Sequence, residues 1–297
     1  MADGSQEGQG AGLPRLIREF RGFPQGWPGP GGRGTVGAMR NVWHELSGLL
    51  LPMTCAGCGR PRTELCAVCG AALLGGPARR VRPSPGPPGL PAVYAAAPYE
   101  NAVRAVLLAH KERGALGLAG VLGRALAGCV RAGTGQLGGA ATPSGAGPLR
   151  ADAPLLLVPV PSARSATAAR GHDPVRRIAV TAARELRRAG RPAHVFPVLR
   201  QRRAVADQSG LDARQRRANL AGALELTAAG ERFFRRGLVR HDRVILVDDL
   251  LTTGSTLAEA ARAVGEGRGT DREPSVRGGC RAAVVAASPS AFEINRN

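Results

Sequence analysis

The chain has 297 residues, with 42 Gly, 23 Pro and few aromatics (two Trp, two Tyr, six Phe). It therefore has room for one large domain or two modest ones, and part of it is not packed core. No apolar run approaches the roughly 20 residues of a membrane span. The start, Met-Ala-Asp-Gly-Ser-Gln-Glu, lacks the basic and then apolar pattern of a secretion signal, so a cytoplasmic chain is expected. The net charge of +19 points to polyanions as partners, single-stranded DNA among them. Yet lysine occurs once, as Lys111, among 41 basic residues, and the Ala, Gly and Pro content suggests that codon bias toward GC supplies part of the arginine surplus. Where arginine replaces lysine almost everywhere, Lys111 marks a position that uses a compact ammonium rather than a planar fork.

Residues 1–38 are rich in Gly, Pro and Arg without a sustained period and read as disordered. Met39 opens a short amphipathic helix stopped at Pro52, and translation starting at Met39 is an alternative to Met1. Next come Cys55-Ala-Gly-Cys58 and Cys66-Ala-Val-Cys69. Each CxxC aims two thiolates at one ion, and two such knuckles complete a tetrahedral four-cysteine site for a structural Zn²⁺. A disulfide pair is the competing reading, and a redox CxxC would need a βαβ setting that is missing here. A module spanning 39–74 would depend on the metal to fold. Residues 75–91 are proline-rich and are expected to form a linker and domain boundary, followed by an α/β domain over 92–297.

Within that domain Ala92–Ala97 reads as a short strand. Val103, Val106 and Leu107 lie at helical spacing and lead into His110-Lys111-Glu112-Arg113-Gly114. A second helix follows with Leu116, Ala119, Leu122, Leu126 and Val130, then a low-complexity insert near 133–150. Leu155–Val160 is an unbroken apolar run, expected as the first strand of the sheet. A small-residue loop with Arg164 and Arg170 precedes Asp173-Pro174, a natural N-cap and first helical position. His194–Leu199 reads as another strand, Arg200–Asn219 as an arginine-rich segment around Asp207-Gln-Ser-Gly-Leu211, and Cys280–Ala287 as a last strand after an insert near 265–279. Cys129 and Cys280 are expected as buried core thiols. Of the histidines, His110 alone invites attention, because it adjoins Lys111. Strands alternating with helices imply a doubly wound parallel sheet.

The chemistry concentrates in Arg243-Val-Ile-Leu-Val-Asp-Asp-Leu-Leu-Thr-Thr-Gly-Ser-Thr-Leu257. Val244–Val247 has no alternation and reads as a strand buried on both faces. Asp248 and Asp249 follow where that strand is expected to end. The hydroxyls of Thr252, Thr253, Ser255 and Thr256 surround Gly254 and open a helix. Such a turn offers N–H groups and a helix dipole to one phosphate, while the acid pair can accept hydrogen bonds from sugar hydroxyls. A Walker-type P-loop would need a lysine in the loop and a longer glycine spacing. A receiver domain would need more βα units than the 48 residues after Asp249 allow.

This segment is similar to the 5-phosphoribosyl 1-pyrophosphate (PRPP) signature of type I phosphoribosyltransferases. The whole series resembles the ComF family of phosphoribosyltransferase-like proteins linked to DNA uptake. It runs from the four cysteines through Tyr…Lys-Glu-Arg-Gly, Val-Pro-Val-Pro, Arg-Gly-His-Asp-Pro, Asp-Gln-Ser-Gly-Leu and Arg-Arg-Ala-Asn-Leu to Asp-Asp-Leu-Leu-Thr-Thr-Gly-Ser-Thr, over roughly residues 39–290. The resemblance implies ribose contacts from Asp248 and Asp249, a 5-phosphate loop at Thr252–Thr256, and a pyrophosphate loop in the segment up to Arg170-Gly171. It also implies a mobile hood at Arg200–Asn219. The family pattern has Phe-Asn-Gln after Arg-Gly, whereas this chain has His172-Asp173-Pro174. The expected activity is phosphoribosyl transfer to an acceptor that no sequence feature identifies, with Mg²⁺, Lys111 and Arg170 neutralising the departing pyrophosphate. The alternative is a non-catalytic PRPP- or nucleotide-binding accessory of DNA uptake that binds single-stranded DNA or proteins of the uptake machinery.

Overall fold

The computed structural model describes residues 53–135, 153–203, 213–236, 243–266 and 280–296, all within one compact unit, Met53–Asn297. The 1–38 stretch, the Met39–Pro52 segment, Asp207–Leu211 and most of the two inserts lie outside the described residues.

In chain order the elements are helix α1 (Ala67–Leu74), strands β1 (Arg79–Val81) and β2 (Val93–Pro98), and helices α2 (Asn101–Glu112) and α3 (Ala119–Gly135). They continue with β3 (Leu155–Pro159), α4 (Arg164–Arg170), α5 (Pro174–Arg188), β4 (Ala193–Val195), β5 (Leu199–Gln201), α6 (Ala213–Leu220), β6 (Leu224–Leu226) and α7 (Ala228–Arg235). β7 (Val244–Leu251), α8 (Ser255–Glu266) and β8 (Arg281–Ala287) complete the series. Six strands form one sheet in the order β1-β2-β8-β7-β3-β4, parallel throughout except for β1. β5 and β6 pair separately as an antiparallel ribbon. The fold class is therefore α/β with a mostly parallel sheet.

The apolar runs account for the sheet's centre. Every residue of β3 is buried, as are Val244–Val247 of β7, which requires cover on both faces. One face is covered by α2, α3 and α5, whose Val106, Leu122, Leu126 and Ile178 share a core with Leu155, Leu157, Ile245 and Val247. α5 begins as its sequence dictates. Asp173 caps it by accepting the Arg176 N–H at 3.0 Å, and Pro174 fills the first position. Val175, Ile178, Ala179, Ala182 and Leu186 then face inward. Cys129 is buried in α3, where its Sγ donates to the Val284 carbonyl and burial pushes its thiol up to about 12. Cys280 is only half-buried. Among the described residues one helical stretch, Leu116–Gly135, is long and apolar enough to span a membrane, but 61% of it is buried inside this fold.

Besides the burial expected of Cys280, several expectations about the elements give way to the structure. The apolar stretch His194–Leu199 is two strands in two sheets, because Pro197 has no N–H to donate to a ladder. The small-residue segment before Gly171 is not a loop but the short helix α4, ended by Gly171 at φ +72°. α7 has no counterpart in the sequence reading; Thr227 caps it through the Gly230 N–H, and Phe233 and Phe234 pack on Phe196. Finally, the 75–91 segment is not all tether. It contributes β1 to the sheet edge, and the Arg82 N–H donates to the Ala291 carbonyl at 3.0 Å.

The contact between α3 and α5 is tight enough to test. A Cβ placed on Gly123 would lie 2.5 Å from Thr181 Cβ and 3.0 Å from the Ala182 backbone nitrogen. Ala in place of Gly adds up to about 1 kcal/mol of helix propensity, whereas overpacking against backbone costs about 1–3 kcal/mol. Gly123→Ala should therefore lower the unfolding free energy by about 1–2 kcal/mol in a denaturant titration, where a propensity-dominated site would raise it.

Candidate functional site

β3 and β7 lie side by side in parallel, with Pro159 opposite Val247, and the Val160 N–H closes the pairing on the Val247 carbonyl at 2.9 Å. From β3 the chain moves outward to β4, and from β7 outward the other way to β8. Strand order thus reverses between β3 and β7, and right-handed crossovers carry the following helices to opposite faces. Open α/β sheets bind ligands in the crevice beyond the carboxyl ends at such a point.

Here β7 runs past its neighbour. It continues along β8 as far as Leu251 opposite Ala287, so Asp248 and Asp249 are strand residues rather than the first residues after it. Successive side chains on a strand alternate faces. Asp249 keeps the parity of Ile245 and Val247 and so emerges on the α2 side. There Lys111, one residue from the end of α2, places its Nζ 2.8 Å from Asp249 Oδ2. Asp249 is 7% exposed and Lys111 35%. Asp248 has the opposite parity, and its Oδ1 accepts the Asp249 N–H at 2.8 Å.

Asp249 thus holds the ammonium directly, and Asp248 acts on it only through space. Burial, and then repulsion from Asp249, drive the Asp248 carboxyl well above the usual carboxylate range. Burial alone would lower the Lys111 pKa, but Asp249 first and Asp248 after it outweigh that and raise it. Glu112, the residue after Lys111, holds Arg170 through Nη1 at 3.0 and 3.2 Å. His110 lies edge-on to His172, with ring centroids 6.1 Å apart. Desolvation lowers the His110 pKa. The structure therefore joins Lys111 directly to Asp249 and brings Arg170 to Lys111's neighbour.

The hydroxyl turn follows at once. Gly254 takes φ +78°, α8 starts at Ser255, and the Thr253 and Ser255 hydroxyls lie 3.1 Å apart. Thr252 is exposed, Thr253 and Thr256 half-buried, Ser255 buried. Gly254 is required twice over. Its φ suits glycine, and a Cβ there would come within 3.0 Å of both Leu90 methyls and 3.4 Å of Pro83. The proline-rich segment thus covers one side of the turn. On the far side of α8, buried Glu259 accepts the Leu224 N–H at 3.1 Å and Arg262 donates to the Leu224 carbonyl at 2.9 Å. The β5–β6 ribbon is thereby fixed to the helix that the turn opens.

Neither the pairing of Glu112 nor the position of Leu90 over Gly254 is signalled locally in the sequence. The partner of Glu112 is 58 positions away.

The four cysteines form a separate cluster. Their sulfurs all lie within 4.8 Å of one another, and Cys58 and Cys66 are 3.6 Å apart. Zn–S bonds of about 2.3 Å in a tetrahedron place sulfurs about 3.8 Å apart, so the cluster is of a size to hold a structural zinc. The Cys66 N–H donates to Cys55 Sγ at 3.3 Å. Burial alone would raise the Cys55 thiol, but backbone N–H donors hold it down at about 6; the backbone at Cys69 lowers Cys66. Burial raises Cys69. Gly57 is obligatory, since a Cβ there would lie 2.7 Å from Cys69 Sγ. Leu65 and Ala102 pack on the cluster, while Leu73 of α1 belongs to the main core. The knuckles therefore brace the start of α2, the helix that carries Lys111 at its other end.

Purified protein should contain one zinc per chain by elemental analysis. Cys66→Ser should lose the metal and lower the thermal midpoint, and a variant with full metal content would remove the four-thiolate assignment. Protonation linkage gives a second expectation. The folded-state pKa of Asp248 lies above its unfolded value, so the native state binds more protons. Stability on this account falls as pH rises from the ordinary 3.8 toward the raised value. The raised Lys111 acts in the other sense: its contribution is complete below 10.5 and is lost as pH rises through the folded value. Asp248→Asn, which keeps the acceptor for the Asp249 N–H, should raise stability at pH 7 by about 1 kcal/mol and flatten its fall above pH 4. Thermal melts across pH check this.

No model of a known protein family matches the chain, and no curated protein matches it either.

Proposed function

We propose that the crevice beyond β3 and β7 binds PRPP with Mg²⁺ and that the chain transfers the phosphoribosyl group to an acceptor, as its resemblance to the ComF family of type I phosphoribosyltransferases implies. One observation carries this reading. An acid pair at the carboxyl end of a central parallel strand is tied to a lone lysine and followed directly by a hydroxyl-rich, positive-φ turn opening a helix of 12 residues. Phosphate suits the turn and the helix N-terminus; ribose hydroxyls suit the carboxylates.

In the reaction the C1–oxygen bond to pyrophosphate breaks and the leaving group takes the electron pair. The acceptor's nucleophile forms the new bond to C1 and releases its proton. Asp248 and Asp249 would orient the ribose and are the hard oxygen donors that this edge offers a magnesium ion. When bound, Mg²⁺ supplies charge neutralisation to the pyrophosphate oxygens. Lys111 and Arg170 add positive charge on the α2 side. The positions of these charges before reaction are the main contribution asked of the protein.

A second reading has its own observation. Arg200, Arg202, Arg203, Arg214, Arg217 and Arg232 are exposed on the β5–β6 ribbon, α6 and α7, a basic surface suited to single-stranded DNA. Against it, none of the described aromatics is exposed, and Phe196, Phe233 and Phe234 are spent on one another in a buried cluster. Stacking platforms for bases are therefore missing among the described residues.

Calorimetric titration of PRPP with Mg²⁺ should give saturable binding to the wild type that Asp248→Asn/Asp249→Asn loses, with pyrophosphate released once a suitable base is added. Absence of binding at millimolar ligand, with steeply salt-dependent binding of an oligonucleotide, would replace the transferase reading with the DNA-binding one.

A further inference from the structure

Three consecutive residues at the end of α2 each reach across the crevice: His110 to His172, Lys111 to Asp249 and Glu112 to Arg170. The third contact is the least explained by folding. Glu112 is the last residue of α2, where the helix dipole disfavours a carboxylate. Its side chain is 49% exposed, whereas that of Arg170 is 14% exposed. Both Glu112 oxygens approach the same nitrogen, Nη1, rather than spanning the guanidinium fork. Arg170 Nε is buried with no acceptor. A guanidinium offers five N–H donors in a fork matched to carboxylate or phosphate. Arg170 is therefore a largely desolvated fork, incompletely used and held by an acid that water can reach.

Resting on the anion site proposed above, we infer that Glu112 is an internal anion that occupies Arg170 in the ligand-free chain and that a pyrophosphate group displaces. Carboxylate and phosphoryl oxygens present the same acceptors to a guanidinium, so the two compete for one fork. Asp249 cannot yield in the same way, because it is nearly buried on Lys111. Glu112 is the acid that moves. Every anion that takes the fork must first displace Glu112, so Glu112 lowers the apparent affinity of the crevice by one common factor.

The test titrates inorganic pyrophosphate into the full chain at low ionic strength, using wild type, Glu112→Gln, Arg170→Gln, the double variant and Glu185→Gln. The last removes the same unit of charge on α5, where Glu185 pairs with Arg188. Glu112→Gln should tighten pyrophosphate binding about fivefold, the worth of a well-placed exposed ion pair. Glu185→Gln should bind as wild type, and in the Arg170→Gln background the Glu112 substitution should have no effect. Equal or weaker binding by Glu112→Gln, an equal gain from Glu185→Gln, or no pyrophosphate binding by any variant at millimolar concentration overturns the inference. Parallel titrations with PRPP and Mg²⁺ separate it from the transferase reading. A Glu112→Gln gain for pyrophosphate without PRPP binding upholds the competition and removes the transferase. PRPP binding indifferent to Glu112 does the reverse.

Discussion

Two adjacent carboxylates on one strand cannot share a face, and this alternation governs the centre of the molecule. Because β7 stays extended through the pair, Asp249 is delivered to the α2 side and Asp248 to the other. A nearly buried carboxylate needs a counter-charge, and Lys111 supplies it from α2. That requirement fixes where α2 must end. It also places Glu112 beside Arg170 and His110 beside His172. Strand register, the end of a helix and the charge inventory of the crevice are thus one problem with one solution.

The cysteine cluster enters through the same helix. Ala102, in the first turn of α2, packs against it, and Lys111 follows nine residues later, about 14 Å along the axis. A four-cysteine cluster at one end and an ion pair at the other give α2 two anchors of different chemistry. The first responds to thiol oxidants, the second to pH and salt. Neither the cluster nor the sheet is a free-standing piece: Leu73 of the cysteine segment lies in the core with Leu122 and Leu126 of α3.

The signals legible in the sequence were those that physics writes locally. Strands covered on both faces leave unbroken apolar runs, as in Leu155–Val158 and Val244–Val247. The Asp173-Pro174 cap predicts the start of α5 to the residue. CxxC spacing brings the four thiols together, and Thr-Thr-Gly-Ser-Thr falls at the carboxyl edge because it follows such a strand, whose second half holds the Asp-Asp pair. What was hidden depends on distant partners. The β5–β6 pairing joins Leu199 to Leu226, and the Glu112–Arg170 contact spans 58 positions. α4 and α7 have 7 and 8 residues, too short for hydrophobic periodicity to stand out. Pro197 was the one local clue to the split of the His194–Leu199 run, and composition concealed it.

The Leu90 side chain resting on Gly254 changes how the protein can be divided. By composition the natural cut lies after residue 91, leaving a cysteine module and an independent α/β body. In the fold that cut would remove an edge strand and strip the cover from the turn at the head of α8. The proline-rich segment is thus a wall of the crevice as well as a connection. A substitution at Leu90 or Pro83 reshapes the turn while leaving every residue of the motif intact, so divergence in this apparently featureless stretch can retune the site from outside it.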